Sequence, residues 1–290
     1  MRRFSSHAKW ILSGEHSVVR GKKAIAFPLK NYKNSITFEK SDHFRISASQ
    51  EYSKETIMSL LKEASNFLKI SLEKISGHIG MKSDIPMKAG LGSSAAICVN
   101  IANIFRHFGF CDDVLNLARH LENRFHKKSS GLDVTVVFEN KPIIFKENKL
   151  SEFLEPGFWP PMILTYSGEK SITSSCATII GEIFLKNEKL ALELDEQMDS
   201  ASNLCEEALK NSDFYKLKDG ITLGGEIFHR WGLCNSSMNL HINKLLSCGA
   251  RAAKPIGSGL GGYILSLWEE NPIKLLNSSS APFESHCIQI

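Results

Sequence analysis

Hydrophobic and polar positions alternate in two distinct rhythms along the 290-residue chain. Near the N-terminus, "AKWIL" and "KAIAFPL" read as short strands around a turn at Gly21. "NSITFEK" and "HFRISAS" carry period-two patterning around "KSD", which predicts a hairpin. From Ser53 to Ile70 the apolar residues Ile57, Leu60, Leu61, Ala64 and Leu68 recur at helical spacing. "GHIGMKSDIP" predicts a strand, and a helix is expected to begin near Ser94. Asp112 and Asp113 mark an N-cap region, after which Val114, Leu117, Ala118, Leu121 and Phe125 form one apolar face. "GLDVTVVF" and "KPIIFKE" read as a pair of strands.

The proline- and glycine-rich "EPGFWPP" at 155–161 marks a domain junction. Beyond it, "MILTYSG" predicts a strand, and long helical patterns run from Thr173 to His229 and from Asn235 to Leu246. "ARAAKPIGSGLGGYILSLW" returns to strand–loop–strand character, and "SHCIQI" reads as a last strand. The expected class is α+β in two domains, 1–155 and 156–290.

Composition narrows the options. A net charge of +4 is too mild to argue for nucleic acid. Seven scattered cysteines without a C-x-x-C pair fit reduced thiols better than a disulfide framework or a zinc site. His120 and His126 lack a metal-ligand spacing and read as surface or capping residues. No run reaches the length of a membrane span, and "MRRF" is not followed by a signal-like apolar stretch. These features predict a cytoplasmic protein without nucleic-acid or membrane partners.

Three loops carry candidate chemistry. "PMKAGLGSSAA" places Gly90 and Gly92 just before a helix, with Ser93 and Ser94 at its mouth. A helix start presents N–H groups and the positive end of its dipole, so the loop can cradle phosphate. The serines can cap the helix or offer oxygen to hydrated Mg²⁺. A plain capped turn is the alternative. The loop lacks the Walker A pattern. "GSGLGG" at Gly257–Gly262 satisfies G-x-G-x-x-G, yet a strand rather than a helix follows, which excludes a dinucleotide fold. It reads as a glycine hairpin, either structural or lying against a ligand. In "KWILSGEHSVVRG", Glu15 and His16 adjoin a glycine between two strands, where burial demands a partner unless the turn is exposed. Two carboxylates also stand out. Asp133 interrupts an apolar run, with a turn aspartate as the alternative, and Glu122 borders the buried face of its helix, where a half-exposed helix carboxylate is the commoner case.

These three segments, in this order, resemble the motifs of the GHMP small-molecule kinases. "SSGLDVTV" is similar to that family's S-G-x-D segment, and Glu122 precedes Asp133 by the separation seen in its mevalonate kinase branch. "GEHSVVRGKKAIA" also resembles that branch most. The resemblance implies a two-lobed α+β fold, with an N-terminal lobe of sheet plus helices, a ferredoxin-like C-terminal lobe, and the active site in the cleft between. It implies an ATP- and Mg²⁺-dependent kinase acting on a small alcohol, (R)-mevalonate above others, in isoprenoid synthesis. Phosphomevalonate or a sugar is the alternative acceptor, and a kinase-like binding protein without turnover is the rival class. A homodimer is left open.

The resemblance also implies roles. Gly90, Leu91, Gly92, Ser93, Ser94, Ala95 and Ala96 would cradle ATP. Ser94 and Glu122 would hold Mg²⁺. Asp133 would take or orient the proton of the acceptor hydroxyl, and Lys9 would neutralise charge beside it. Glu15, His16, Thr173, Gly257 and Ser258 would line the substrate side. The chain departs from the family's pattern at Ser6-His7-Ala8, at Ile256, where the family has a hydroxyl residue, and at Leu260, where it has a small one.

Overall fold

The computed structural model describes residues 1–48, 53–125, 129–171, 173–276 and 287–290. The chain divides into two compact units. The first comprises Met1–Lys9, Pro28–Met87 and Leu91–Lys141, and the second Trp10–Phe27, Lys88–Gly90 and Pro142–Ile290.

The first unit is built from parts of strands β1 (Arg2–Ser13) and β2 (Ala24–Lys40), then β3 (Arg45–Ala48), α1 (Lys54–Leu68), β4 (Gly77–Ser83), α2 (Ser93–His107), α3 (Val114–Glu122) and α4 (Leu132–Glu139). β2 pairs antiparallel with β4, from Asn34↔Ser83 to Lys40↔Gly77. β3 pairs parallel with β4. The hairpin expected between 34–40 and 43–49 therefore does not form, because β4 lies between its two strands. Parallel pairing needs a crossover, and α1 supplies it. Ser53 caps α1 by accepting from the Thr56 N–H, and Ile57, Leu60, Leu61 and Ala64 are buried as the periodicity predicts.

α2 is buried along most of its length. A polar ladder ties it to the strands: Ser6 donates to Asn100, whose amide donates to the side chain and carbonyl of Asn34. Asp113 caps α3. Phe125 falls beyond the end of α3 and is 37% exposed, so the expected apolar face stops at Leu121. His120 sits at the surface of α3 against Glu63, with Phe67 stacked on its ring. His126 lies outside the described residues.

The largest correction concerns "GLDVTVVF", which forms helix α4 rather than a strand. Gly131 at φ 83° starts the helix and Asn140 at φ 52° stops it. α4 packs against α2 and α3. Leu132, Val134, Val136 and Val137 are buried on several sides, which erases any helical stripe from the sequence.

The second unit contains β5 (Ile143–Lys146), β6 (Lys149–Phe153), β7 (Met162–Tyr166), α5 (Thr173–Lys186), α6 (Glu188–Asn211), α7 (Phe214–Arg230), α8 (Ser236–Ser247), β8 (Ala252–Pro255), β9 (Tyr263–Leu267), α9 (Ile273–Leu276) and β10 (Cys287–Gln289). The start of β2 pairs with β5, and β5 with β6. A separate antiparallel sheet runs β10-β7-β9-β8. α7 packs on β8, and α8 packs on β8 and β9, giving the α+β layering expected of the C-terminal region. Leu194, Met198, Ile227, Phe228 and Trp231 form one core, and Ile163, Met238, Leu245, Ile264 and Trp268 another. Trp159, from the proline-rich segment, meets Trp10 and Phe27 edge-on. Ser285 and His286 of the expected last strand are outside the described residues; β10 covers Cys287–Gln289. Among the described residues, no helix is long and apolar enough to cross a membrane.

Candidate active site

Two groups of side chains gather the residues singled out by the sequence, one in each unit. In the first unit, the Lys9 N–H donates to the Leu91 carbonyl at 3.0 Å, which seats Lys9 beside the glycine loop. The Lys9 side chain is 2% exposed, and its Nζ reaches Asp133 Oδ2 at 2.9 Å. Asp133 is 27% exposed and stands in the first turn of α4, where the helix dipole favours an acid.

The lysine stem explains Gly92. A Cβ there would lie 2.6 Å from Lys9 Cγ, and the residue holds φ +75°. Gly92 is also the N-cap of α2, and as a glycine it brings no capping side chain of its own. Ser93 and Ser94 open the helix, with Ser94 half-buried. Leu91, Ala95 and Ala96 bury their side chains, so only their backbone is available to a ligand.

Glu122 is 1% exposed at the end of α3. Burial first, and the neighbouring Asp133 charge second, push its carboxyl up to about 8, against the opposing pull of Ser129 and Lys9. One oxygen accepts from the Ser129 hydroxyl, and the other, Oε1, is buried without a hydrogen-bond partner among the described residues. A buried orphan carboxylate oxygen suits a hard cation, as does the Ser94 hydroxyl. Among the described residues, no three His, Cys, Asp or Glu side chains gather into a metal site. Mg²⁺ needs no such cage, because it commonly takes one or two carboxylates and completes its shell with phosphate and water.

In the second unit, Lys254 Nζ meets Glu15 Oε1 at 2.5 Å, with both side chains fully enclosed. His16 follows at φ 61°, ψ −48°, with the Ser17 N–H bonded to the Glu15 carbonyl across it. This is a strained three-residue turn. His16 Nε2 lies 2.9 Å from the Ser258 carbonyl; since a carbonyl only accepts, Nε2 carries the proton. Burial drives the His16 pKa down to about 4, so the ring is neutral near pH 7. Trp231 and Phe228 hold the ring edge-on.

Thr173 Oγ1 lies 3.2 Å from Ser258 Oγ, and Ser171 bonds both Ser258 Oγ and the Gly259 carbonyl. The two glycine loops touch within this unit: a Cβ on Gly257 would lie 2.9 Å from Gly90 Cα. Thus Glu15, His16, Thr173, Gly257, Ser258 and Gly90 share the second group, and Lys9, Gly92, Ser93, Ser94, Glu122 and Asp133 the first.

The unusual residues have structural answers. Ile256 is fully buried, and its N–H pairs with the Tyr263 carbonyl. Leu260 holds φ 54° and packs on the Phe228–Trp231 core. Lys254 was not singled out from sequence, although it lies three residues before the glycine hairpin; its partner is 239 positions away. Arg119 and Ser129 were missed too. Arg119 lies one helical turn before Glu122, and Ser129 lies in the segment quoted for Asp133.

Residues 51–140 match the model of the GHMP kinases N terminal domain. A mevalonate kinase from Thermococcus sibiricus is 27% identical over 301 residues, covering 92% of this chain and 89% of the relative. The fold matches an L. major mevalonate kinase solved in complex with R-mevalonate, at 18% identity and TM-score 0.78, over 100% of this chain and 95% of the other. It also matches a Streptococcus pneumoniae phosphomevalonate kinase solved with phosphomevalonate and AMPPNP, at 13% identity and TM-score 0.81, over 100% of both chains. The shared motifs, the domain match over residues 51–140 and relatives spanning nearly the whole chain point the same way: this chain is similar to the GHMP kinases, and most like the mevalonate kinases among them.

Proposed function

We propose that the chain transfers the γ-phosphoryl group of ATP to the primary hydroxyl of (R)-mevalonate, giving 5-phosphomevalonate and ADP. The observation that carries this reading is the Lys9–Asp133 pair standing beside the glycine loop, with buried Glu122 next to Asp133. In the reaction the hydroxyl oxygen bonds to the γ-phosphorus while the bond to the β–γ bridging oxygen breaks. The hydroxyl proton leaves toward Asp133. Lys9 keeps that carboxylate oriented and offsets charge on the moving phosphoryl group. This favours an orienting, electrostatic role for Asp133 over full early removal of the proton.

The backbone of Gly90–Ala96 would bind the ATP phosphates. Ser94 and Glu122 would hold Mg²⁺, which neutralises phosphate charge when bound. Glu15, His16, Thr173, Gly257 and Ser258 would serve the substrate side, with neutral His16 setting the position of the Ser258 carbonyl.

Mevalonate is preferred as acceptor because the full-length sequence relatives are mevalonate kinases. Phosphomevalonate is the second reading, favoured by the fold likeness at TM-score 0.81. A panel of mevalonate, phosphomevalonate and sugars with MgATP, read by ADP release and phosphorus NMR of the product, decides between them. Turnover of mevalonate to a 5-phosphate is expected. Inactivity on mevalonate with turnover of another alcohol would remove the assignment.

A further inference from the structure

A set of hydrogen bonds joins the end of α3 to the start of α4 inside the first unit. The Ser129 hydroxyl donates its one proton to Glu122 Oε2. The Ser129 hydroxyl oxygen itself accepts from the Gly131 N–H at 3.1 Å. The Ser129 N–H in turn donates to Asn123 Oδ1 at 3.3 Å. A second tie runs in parallel: Arg119 Nη2 donates to Thr135 Oγ1 at 3.0 Å, and that hydroxyl donates to the Gly131 carbonyl at 2.6 Å. Arg119 and Glu122 are three residues apart on α3 and so share a face. Gly131 is held by both its N–H and its carbonyl. It cannot carry a side chain, since a Cβ would lie 2.7 Å from Arg119 Nε and φ is +83°. Two residues later comes Asp133.

We propose that Ser129 is a positioning residue that fixes the Glu122 carboxylate for Mg²⁺ and ties its orientation to the turn carrying Asp133. The inference rests on the kinase reading above. Ser129 occupies Oε2 and leaves the buried Oε1 as the coordinating oxygen. A carboxylate with no such partner would rotate, and both oxygens would be averaged. Hydrogen-bonding partners of metal ligands govern affinity in this way, and losing one weakens metal binding by about 10–100-fold. Arg119 holds the far side of the same turn, so removing the Ser129 hydroxyl leaves the turn closed while freeing Glu122.

The test uses the full chain with AMPPNP and Mn²⁺ as the Mg²⁺ probe, followed by electron paramagnetic resonance, with no acceptor alcohol present. Ser129→Ala should weaken Mn²⁺ binding about tenfold or more. The isosteric pair Ser129→Thr and Ser129→Val provides a second arm, independent of whether the alanine variant folds. Thr should bind Mn²⁺ close to wild type, and Val should bind as weakly as Ala. In the assay with the preferred acceptor, the Mg²⁺ concentration for half-maximal rate should rise while kcat at saturating Mg²⁺ changes far less. Mn²⁺ binding unchanged in Ser129→Val, binding equally weak in Ser129→Thr and Ser129→Val, or no Mn²⁺ binding by wild type would each overturn the proposal. Failure of mevalonate in the acceptor panel would strike the substrate assignment and leave the Mn²⁺ comparison intact.

Discussion

Lys9 Nζ lies 2.9 Å from Asp133 Oδ2, and the lysine is almost wholly enclosed while the aspartate is partly open. The pair thus presents its acid outward and keeps its cation behind. Asp133→Asn keeps shape and removes the charge. It should lower kcat by about 10²–10⁴-fold while ATP binding survives. Lys9→Met should lower kcat by about 10²–10³-fold with a smaller effect on ATP affinity. Steady-state kinetics with nucleotide titration checks both; a near-normal rate for Asp133→Asn would show that its role is misassigned.

Glu122 holds its proton in the metal-free protein up to about pH 8, because burial and the Asp133 charge disfavour the carboxylate. Gln has the shape of that neutral acid, so Glu122→Gln should fold normally without metal. The raised pKa means the folded state binds more protons than the unfolded state between the two values. Stability should therefore fall as pH rises from 6.5 to 8 in the metal-free wild type, and the variant should lose that slope. Thermal melts in chelator test this. The same variant should raise the Mg²⁺ requirement about tenfold or more; an unchanged Mg²⁺ titration would count against Glu122 as a ligand.

Lys254 and Glu15 form a fully enclosed ion pair, with Phe228 5.2 Å from the ammonium. Removing one partner leaves the other buried without its counter-charge. Lys254→Met or Glu15→Gln alone should cost about 3–5 kcal/mol of stability. The double variant should recover much of that loss, because two neutral side chains carry no uncompensated charge. Denaturant unfolding of the four proteins reads the coupling. Additive losses would show that the pair does not act as a unit.

His16 and His241 are both depressed to about 4, chiefly by burial. Their unfolded counterparts titrate near 6.5, so the unfolded state takes up more protons between these values. Their contribution is complete above pH 6.5 and is lost as pH falls through 4. Melting temperature should drop on acidification across that window. His16→Asn, which tolerates the positive φ, should flatten the profile. A variant with the full wild-type acid slope would show that His16 charges without penalty in the fold.

Much of the site was written locally. The glycines before α2, the Asp113 cap and the apolar stripes of α1 and α3 all follow from spacing within a few residues. Such spacing records which face is buried, and three motifs in a family's order point to one chemistry. α4 was not legible, because a short apolar run buried on several sides has no periodic signature. Its β-branched valines and threonine favour a strand, and only packing against α2 and α3 decides otherwise.

Partnership is the other thing local pattern withholds. Asn34–Lys40 and Arg45–Ala48 are strands, yet β4, arriving after a helix, separates them. Lys254 looks like an ordinary strand lysine until the fold brings Glu15 to it from 239 residues away. Ser129 reads as a turn serine until α3 turns Glu122 toward it. Short-range periodicity encodes how much water each face loses. It holds no information on which distant group replaces that water, and a buried charge or hydroxyl acquires its role from that replacement.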